Sequence, residues 1–291
     1  MPTTPQIALL LTTFMWGATF PATKAVLRQI SPLPFLFLRF LIGAILVLSV
    51  VVLMRWPIRT DRTLLKLSAI ATVFLFLGYV LQTVGLRYTT ASNSAFITAL
   101  YVVFVPLFLK RFGVRIWLSA GVAVAGLWLL VNPTVNLNAG DLMTLGCAAA
   151  FAGHIACLEA FIPRTDAVSL FVWQLILMAA ALFPAAVLQG PTAAEFEPTP
   201  LLLGALVVTG GLATAAFAVQ MWAQKYLPAQ RVALIFSLEP AYAAWLSWYF
   251  LNEQLEPQAW LGSALILIAV IIGSTQATAS DTVARGVAEH G

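Results

Sequence analysis

The chain has 291 residues, of which 61% are hydrophobic and only 9% are charged. A water-soluble domain has roughly a quarter of its residues charged, so this composition excludes a soluble globular protein and indicates an integral membrane protein. The formal net charge of +4 comes from basic residues scattered singly through short loops. Because no basic patch with interleaved aromatic residues is present, nucleic acid is excluded as a partner.

Ten stretches are apolar enough to be membrane-spanning helices, for which about 20 mostly apolar residues are needed. In chain order they cover residues 6–28, 33–54, 64–86, 91–109, 115–131, 140–162, 167–188, 200–224, 229–251 and 257–276. No positively charged region precedes the first stretch, so we expect a first span rather than a cleaved signal peptide. The small and polar residues 277–291 predict a disordered C-terminal tail. The predicted fold class is an all-α integral membrane protein.

Lysine and arginine are distributed unevenly among the predicted loops. If the N-terminus lies in the cytoplasm, the inner connections and the tail carry Arg55, Arg59, Arg62, Lys66, Lys110, Arg111, Arg115, Arg164, Lys225, Arg231 and Arg285. The outer connections then carry only Arg28 and Arg87. Cytoplasmic loops hold the excess of basic residues, so the pattern predicts that both termini of this multi-pass protein face the cytoplasm.

An internal repeat appears when the sequence is shifted by 138 positions. The shift pairs Gln82 with Gln220, Arg87 with Lys225, Tyr88 with Tyr226, Ala91 with Ala229, Ala95 with Ala233, Ile97 with Ile235 and Leu100 with Leu238. The first repeat covers residues 5–131 and the second covers 140–276, with five predicted spans each. An odd number of spans forces the two copies into opposite orientations, which is typical of secondary transporters that bind substrate between the halves.

The stretch "LRYTTASNSAF" at residues 86–96 is an unusually polar interruption of the first repeat. We expect it to be the turn between the third and fourth spans, with Asn93, Ser92 and Ser94 capping the fourth helix.

Six segments together resemble a known family. They are "FMWGATFPATK", "PFLFLRF", "GLRYTTASNSAF", "AGDLMTLGCAAAFAGHIA", "FSLEPAYAAWLSWYFLNEQL" and "WLGSALILIAVIIG". Their order on ten predicted spans, over residues 5–276, resembles the EamA-type branch of the drug/metabolite transporter superfamily. The resemblance implies an exporter or permease of small metabolites in the cytoplasmic membrane. It implies little about the substrate, because members of the family differ widely in what they carry.

Ionisable side chains inside spans are energetically unfavourable and therefore indicate function. Glu239, followed by Pro240, lies in the ninth predicted span, and His154 lies in the sixth. Either side chain is a candidate for proton coupling, and a structural acid and a core histidine are the alternatives. Lys24 and Arg39 lie toward the outer ends of the first two spans. They are candidates for an outer gate that binds a carboxylate or backbone carbonyls, unless their side chains snorkel to the headgroups.

Aromatic and amide side chains inside the spans predict a central substrate cavity, because lipid cannot satisfy their polar groups. The predicted lining consists of Trp16, Thr19, Tyr79, Gln82, Tyr101, His154, Gln220, Glu239 and Tyr242. No catalytic residues, metal site or cofactor are expected, because the chain has no metal-binding motif and its two cysteines, Cys147 and Cys157, lie in one span.

These observations predict a secondary transporter, not an enzyme. It would move small organic metabolites such as amino acids or amphipathic and aromatic compounds by alternating access. The expected partners are membrane lipids, the substrate and protons, and we expect a monomer with a dimer left open. The alternative is a lipid-carrier translocase or a non-transporting membrane subunit on the same fold, for which a laterally open groove would be expected.

Overall fold

The structure is a computed structural model that describes residues 4–131, 138–189, 198–251 and 257–274. All regular secondary structure in these ranges is helical. The α-helices are α1 (Thr4–Gly17), α2 (Thr19–Val26), α3 (Pro32–Leu53), α4 (Arg62–Gly85), α5 (Ala91–Ala99), α6 (Tyr101–Phe108), α7 (Val114–Val131), α8 (Ala139–Phe161), α9 (Ala167–Gln189), α10 (Pro200–Leu206), α11 (Ala213–Ala223), α12 (Ala229–Phe236), α13 (Glu239–Leu251) and α14 (Gln258–Ser274). The predicted all-helical class is confirmed. The predicted disordered tail lies outside the described residues.

Long apolar helices dominate the bundle. Six helical stretches within the described residues are long and apolar enough to cross a membrane: Pro32–Leu53, Arg62–Gly85, Ala91–Phe108, Ala139–Arg164, Ala167–Gln189 and Pro200–Ala223. Their outer faces leave large apolar side chains exposed, including Val52 at 72%, Leu53 at 81% and Leu188 at 87%. A water-exposed protein would not tolerate so wide an apolar surface, so lipid is its solvent.

Several of the ten stretches predicted from the sequence are interrupted in the middle of the helix. The first breaks at Ala18, three residues before Pro21, whose ring nitrogen cannot donate to the carbonyl of Gly17. The stretch 229–251 breaks after Phe236, four residues before Pro240, for the same reason. Between α10 and α11, the residues Val207–Leu212 form a π-helix.

The breaks also reveal the internal repeat. Leu100 separates α5 from α6, and Leu238 lies between α12 and α13. These two leucines are a pair in the 138-residue shift. The matching chain segments therefore bend at matching positions, as expected if the two halves have similar folds.

Lipid gives the helices no hydrophobic drive to associate, so their association depends on close packing. Small residues make that packing possible. At the crossing of α7 and α14, a Cβ atom on Gly126 would lie 2.7 Å from the carbonyl oxygen of Gly262 and 3.0 Å from the backbone nitrogen of Ile266. Two backbones are therefore in direct contact there.

We expect Gly126→Ala to destabilise the protein by about 1–3 kcal/mol, because the added methyl group would push two backbones apart. Gly121→Ala on the same helix is the matched control, since nothing lies within 4 Å of its added Cβ. Thermal unfolding in detergent measures both variants. A melting temperature for Gly126→Ala equal to or above that of Gly121→Ala would contradict close packing at this crossing.

The two ends of α8 define the two ends of the bundle. Its N-terminus forms a capping box in which Asn138 accepts from the backbone N–H of Asp141, and Asp141 accepts from that of Asn138. Glu159 lies near its C-terminus, roughly 27 Å away at 1.5 Å per residue. We refer to the Asp141 end and the Glu159 end of the bundle.

The polar turn at residues 86–96 joins the two halves at the Asp141 end. The expected cap of α5 by Asn93 and its neighbouring serines is wrong, because Thr90 accepts from the backbone N–H of Asn93 at 3.0 Å. Asn93 instead donates through Nδ2 to Asp141 Oδ1 at 2.6 Å, and Thr89 donates to the same oxygen at 2.7 Å. The Asn93 side chain therefore binds the Asp141 carboxylate and does not cap its own helix.

Candidate functional site

A buried cavity lies in the middle of the bundle, where helices of both repeats meet. It is lined by Trp16, Thr19, Leu75, Tyr79, Gln82, Thr98, Tyr101, Phe151, His154, Ile155, Phe217, Gln220, Phe236 and Glu239. Its volume is about 50 Å³. Each water needs about 10–15 Å³ on this measure, so the cavity holds only a few waters and must widen to hold a metabolite.

The structure brings all but one of the predicted cavity residues together. Trp16, Thr19, Tyr79, Gln82, Tyr101, His154, Gln220 and Glu239 all lie on the wall. Tyr242 does not, because its ring packs edge-on against Phe14 at 5.5 Å and lines a separate surface pocket. It lies over Gly17 of α1, where there is no side chain to push it toward the cavity.

Glu239 is the central acidic group of the cavity. It is 7% exposed and begins α13, so its carboxylate lies at the positive end of a helix dipole. Tyr101 Oη donates to Glu239 Oε2 at 3.1 Å. Tyr101 and Glu239 are themselves 138 positions apart, so equivalent positions of the two repeats bind each other here.

Arg39 is a buried cation beside the cavity. Its side chain is 4% exposed, so it does not reach a headgroup by snorkelling. Nη2 donates to Tyr79 Oη at 3.1 Å, and the guanidinium carbon lies 4.3 Å from the centroid of the Tyr79 ring. Among the described residues no carboxylate lies within 4.0 Å of the guanidinium. The guanidinium contacts the phenol group of Tyr79 and the aromatic faces of Phe40 and Tyr79.

His154 is held by a residue that the sequence analysis did not single out. Its Nε2 lies 2.7 Å from Oε1 of Gln174, which is completely buried on α9. Gln174 in turn donates through Nε2 to the carbonyl of Leu170 at 3.2 Å. A single amide inside an apolar span was the signal that could have identified Gln174.

The two repeat-related glutamines each form a short polar chain. Gln82 donates to Thr98 Oγ1 at 3.2 Å, and Thr98 is 3.9 Å from the Sγ of Cys147. Gln220 donates to Gln224 at 2.9 Å, and Gln224 donates to the carbonyl of Ile155 at 3.1 Å. Thr98 and Gln224 were also missed, Gln224 because it lies at the end of its predicted span, where an amide side chain is not unusual.

At the Asp141 end of the bundle, Lys24 binds backbone carbonyl groups. Its Nζ donates to the carbonyl oxygens of Leu86 at 2.7 Å and Thr89 at 2.6 Å. These carbonyls belong to the C-terminus of α4 and the following turn, where a cation is favoured. Lys24 therefore ties the first helical stretch to the turn between α4 and α5.

At the Glu159 end, Glu159 forms an analogous contact of opposite charge. Glu159 accepts from the backbone N–H of Ala229, the first residue of α12, at 2.5 Å. It also forms an ion pair with Arg111, which follows α6. This contact ties α8 to the turn before α12. In the internal repeat, α8 corresponds to the first helical stretch, and the turn before α12 corresponds to the turn before α5. The two contacts thus join corresponding elements of the two repeats.

Metal-binding side chains are dispersed in the described part of the chain, where no three His, Cys, Asp or Glu residues lie together. Both cysteines are free thiols.

The fold and the cavity define a class of protein: a multi-pass helical membrane protein in which two related halves enclose a central cavity lined by aromatic and apolar side chains and a few polar groups. A sequence profile of the EamA-like transporter family matches the chain twice, over residues 4–132 and 138–275. The chain therefore belongs to the EamA-like transporter family and is a membrane transporter of the cell membrane.

Two relatives are themselves described as uncharacterized transporters. One, from Archaeoglobus fulgidus, is 34% identical, with 92% of this chain and 85% of the relative covered. The other, YwfM of Bacillus subtilis, is 28% identical, with 92% of each chain covered. A solved crystal structure is similar in fold, with a TM-score of 0.75 at 15% identity, covering 94% of this chain and 98% of that one.

Proposed function

We propose that the protein is a secondary transporter of small organic metabolites with ten spans in two inverted repeats of five. The observation that carries this proposal is the Tyr101–Glu239 hydrogen bond. Equivalent residues of two repeats can bind each other only near the axis that relates the repeats, and this pair lies on the cavity wall. Substrate sites of inverted-repeat transporters lie at that axis.

The charges support an orientation with both termini in the cytoplasm. Connections at the Glu159 end carry Arg55, Arg59, Arg62, Lys66, Lys110, Arg111, Arg115, Arg164, Lys225 and Arg231. Among the residues that the structure describes, the connections at the Asp141 end carry only Arg28 and Arg87, with Lys24 just inside α2. By the positive-inside rule, the Glu159 end faces the cytoplasm. Lys24 then belongs to an outer gate, and Glu159 with Arg111 to an inner gate.

The cavity chemistry favours a substrate that has an apolar or aromatic body and polar ends. Trp16, Phe217 and Phe236 supply aromatic faces, with the Trp16 and Phe236 ring centroids 4.8 Å apart. Glu239 offers an acceptor for an ammonium group, and Arg39 behind Tyr79 attracts a carboxylate. An amino acid with a large side chain has all three features.

Transport requires the cavity to open to one side at a time. In this structure the cavity is too small for an amino acid. We infer that substrate entry from either side breaks the contact of Lys24 or that of Glu159 and widens the cavity.

Two side chains, Glu239 and His154, were proposed from the sequence for proton coupling, and Glu239 is the better candidate. Its carboxylate lies at the repeat axis, where both gates can influence it. His154 is already bound to Gln174 through Nε2, as expected of a core histidine.

A second candidate function, the translocation of a lipid carrier, is favoured by one observation. An apolar groove of about 490 Å³ lies between α3, α9 and α11, and Val47, Val51 and Phe171 are among its lining residues. Phe171 stacks on Phe217 at 5.5 Å and so separates this groove from the cavity. An acyl chain would fit the groove, whereas a polar headgroup would have to displace this aromatic pair.

We expect purified protein in liposomes to transport at least one amino acid or amphipathic amine saturably. Each compound of a panel, including polyprenyl-linked lipids, is measured with and without a pH gradient, and protein-free liposomes are the control. Movement of the lipids alone would favour the second function. If no compound moves faster than in protein-free liposomes and none shifts thermal unfolding, the proposed function is overturned.

A further inference from the structure

A further pocket, larger than the central cavity, lies at the Glu159 end of the bundle. It has a volume of about 490 Å³ and is formed by the ends of α6, α7, α12 and α14. It shares no lining residue with the central cavity. We call it the basic pocket, because Arg115 from the start of α7 and Arg231 from α12 both line it.

The polar groups of the basic pocket are donors suited to an oxyanion. Arg231 is 9% exposed, whereas Arg115 is exposed at the rim. The Nε2 of Gln230, also on the wall, is buried without a hydrogen-bond partner in the described part of the chain. An unsatisfied buried N–H group is unfavourable until an acceptor binds it. Guanidinium groups match phosphate oxygens in geometry and remain charged at all physiological pH values.

Glu159, the acidic group at this end of the bundle, does not pair with Arg115. Glu159 is occupied by Arg111 and by the backbone N–H of Ala229. Arg115 forms no ion pair with any residue that the structure describes. The basic pocket thus keeps uncompensated positive charge at its rim.

The floor of the basic pocket is apolar. Val102, Leu234 and Ala120 line it, and each is at most 4% exposed. A charged rim over an apolar floor, placed where four membrane helices end, fits an amphipathic anion better than a fully hydrated one.

We propose that the basic pocket binds a phosphate-bearing anion, held by Arg115, Arg231 and Gln230. The anion is supplied either by an anionic phospholipid, whose acyl chain covers the apolar floor, or by a soluble phosphate compound. This proposal is independent of the transported substrate, because none of these residues lines the cavity.

Native mass spectrometry and thermal unfolding of the full chain in detergent test the proposal. One arm adds phosphatidylglycerol, with phosphatidylcholine of the same acyl chains as the comparison. The other arm adds inorganic phosphate or glycerol phosphate. The variants are Arg115→Gln, Arg231→Gln and the double variant. Arg59→Gln is the matched control, since its side chain is 63% exposed at the same end of the bundle.

We expect the protein to bind phosphatidylglycerol in preference to phosphatidylcholine, and each arginine substitution to weaken that binding about tenfold. Arg59→Gln should bind as the unaltered protein does. Arginine-dependent binding of glycerol phosphate alone would assign the site to a soluble compound. If Arg231→Gln fails to fold, the exposed Arg115→Gln variant still tests the site. Equal binding of both lipids, or anion binding that neither arginine affects, would overturn the proposal.

Discussion

Glu239→Gln is expected to abolish proton-driven accumulation of substrate. With one proton per substrate, a gradient of one pH unit supports about tenfold accumulation, because one pH unit corresponds to about 1.4 kcal/mol. The amide can still accept the hydrogen bond that Tyr101 donates to Glu239 at 3.1 Å, but it cannot bind and release a proton. Accumulation in liposomes carrying the variant should therefore fall to the equilibrium level, while exchange of labelled for unlabelled substrate continues.

Glu239→Asp is the matched control for this loss. It retains a titratable carboxylate at the start of α13, so it should retain accumulation at a lower rate. Accumulation by Glu239→Gln equal to that of the unaltered protein would show that the proton is carried elsewhere.

The second large effect concerns the two gates. Lys24→Met removes the cation that binds the carbonyls of Leu86 and Thr89, so it should favour opening at the Asp141 end. Glu159→Gln breaks the ion pair with Arg111 and should favour opening at the Glu159 end. Each change should shift the balance of states about tenfold, since hydrogen bonds to charged groups contribute about 1.5–3 kcal/mol.

A reporter cysteine in the cavity measures these shifts. Thr19→Cys is introduced into protein whose Cys147 and Cys157 are replaced by alanine, and its reaction with a membrane-impermeant thiol reagent is followed from each side. Lys24→Met should increase labelling from outside, and Glu159→Gln from inside. Arg59→Gln removes an ion pair between exposed side chains and should change neither rate. Equal changes from both sides would mean that the two contacts are structural and do not gate.

The repeat and most of the cavity could be predicted from the sequence because the membrane restricts what a span can contain. An amide or carboxylate inside a span must face protein or water, so Gln82, Gln220 and Glu239 had few places to lie. The 138-residue shift then identified which of them are equivalent. The same reasoning applies to Gln174, which could have been predicted to be a buried polar residue near the cavity.

Other features depend on how the helices rotate and approach one another. Tyr242 lies on the same helix as Glu239, yet it faces α1, because Gly17 leaves space for it there. Arg39 was expected near an outer gate, but its position beside Tyr79 depends on the packing of α3 against α4. The contacts of Glu159 could not be predicted from the sequence, because its partners, Arg111 and Ala229, are distant from it along the chain.

The central claim is that one cavity between two inverted halves opens alternately to the two sides of the membrane. The most direct measurement is two-sided labelling of Thr19→Cys in sealed, oriented vesicles, with Arg87→Cys and Lys225→Cys as references. We expect Arg87→Cys to react only from outside, Lys225→Cys only from the cytoplasmic side, and Thr19→Cys from both. Labelling of both references from one side would contradict the inverted repeats. Labelling of Thr19→Cys from a single side, even with either gate removed, would contradict alternating access.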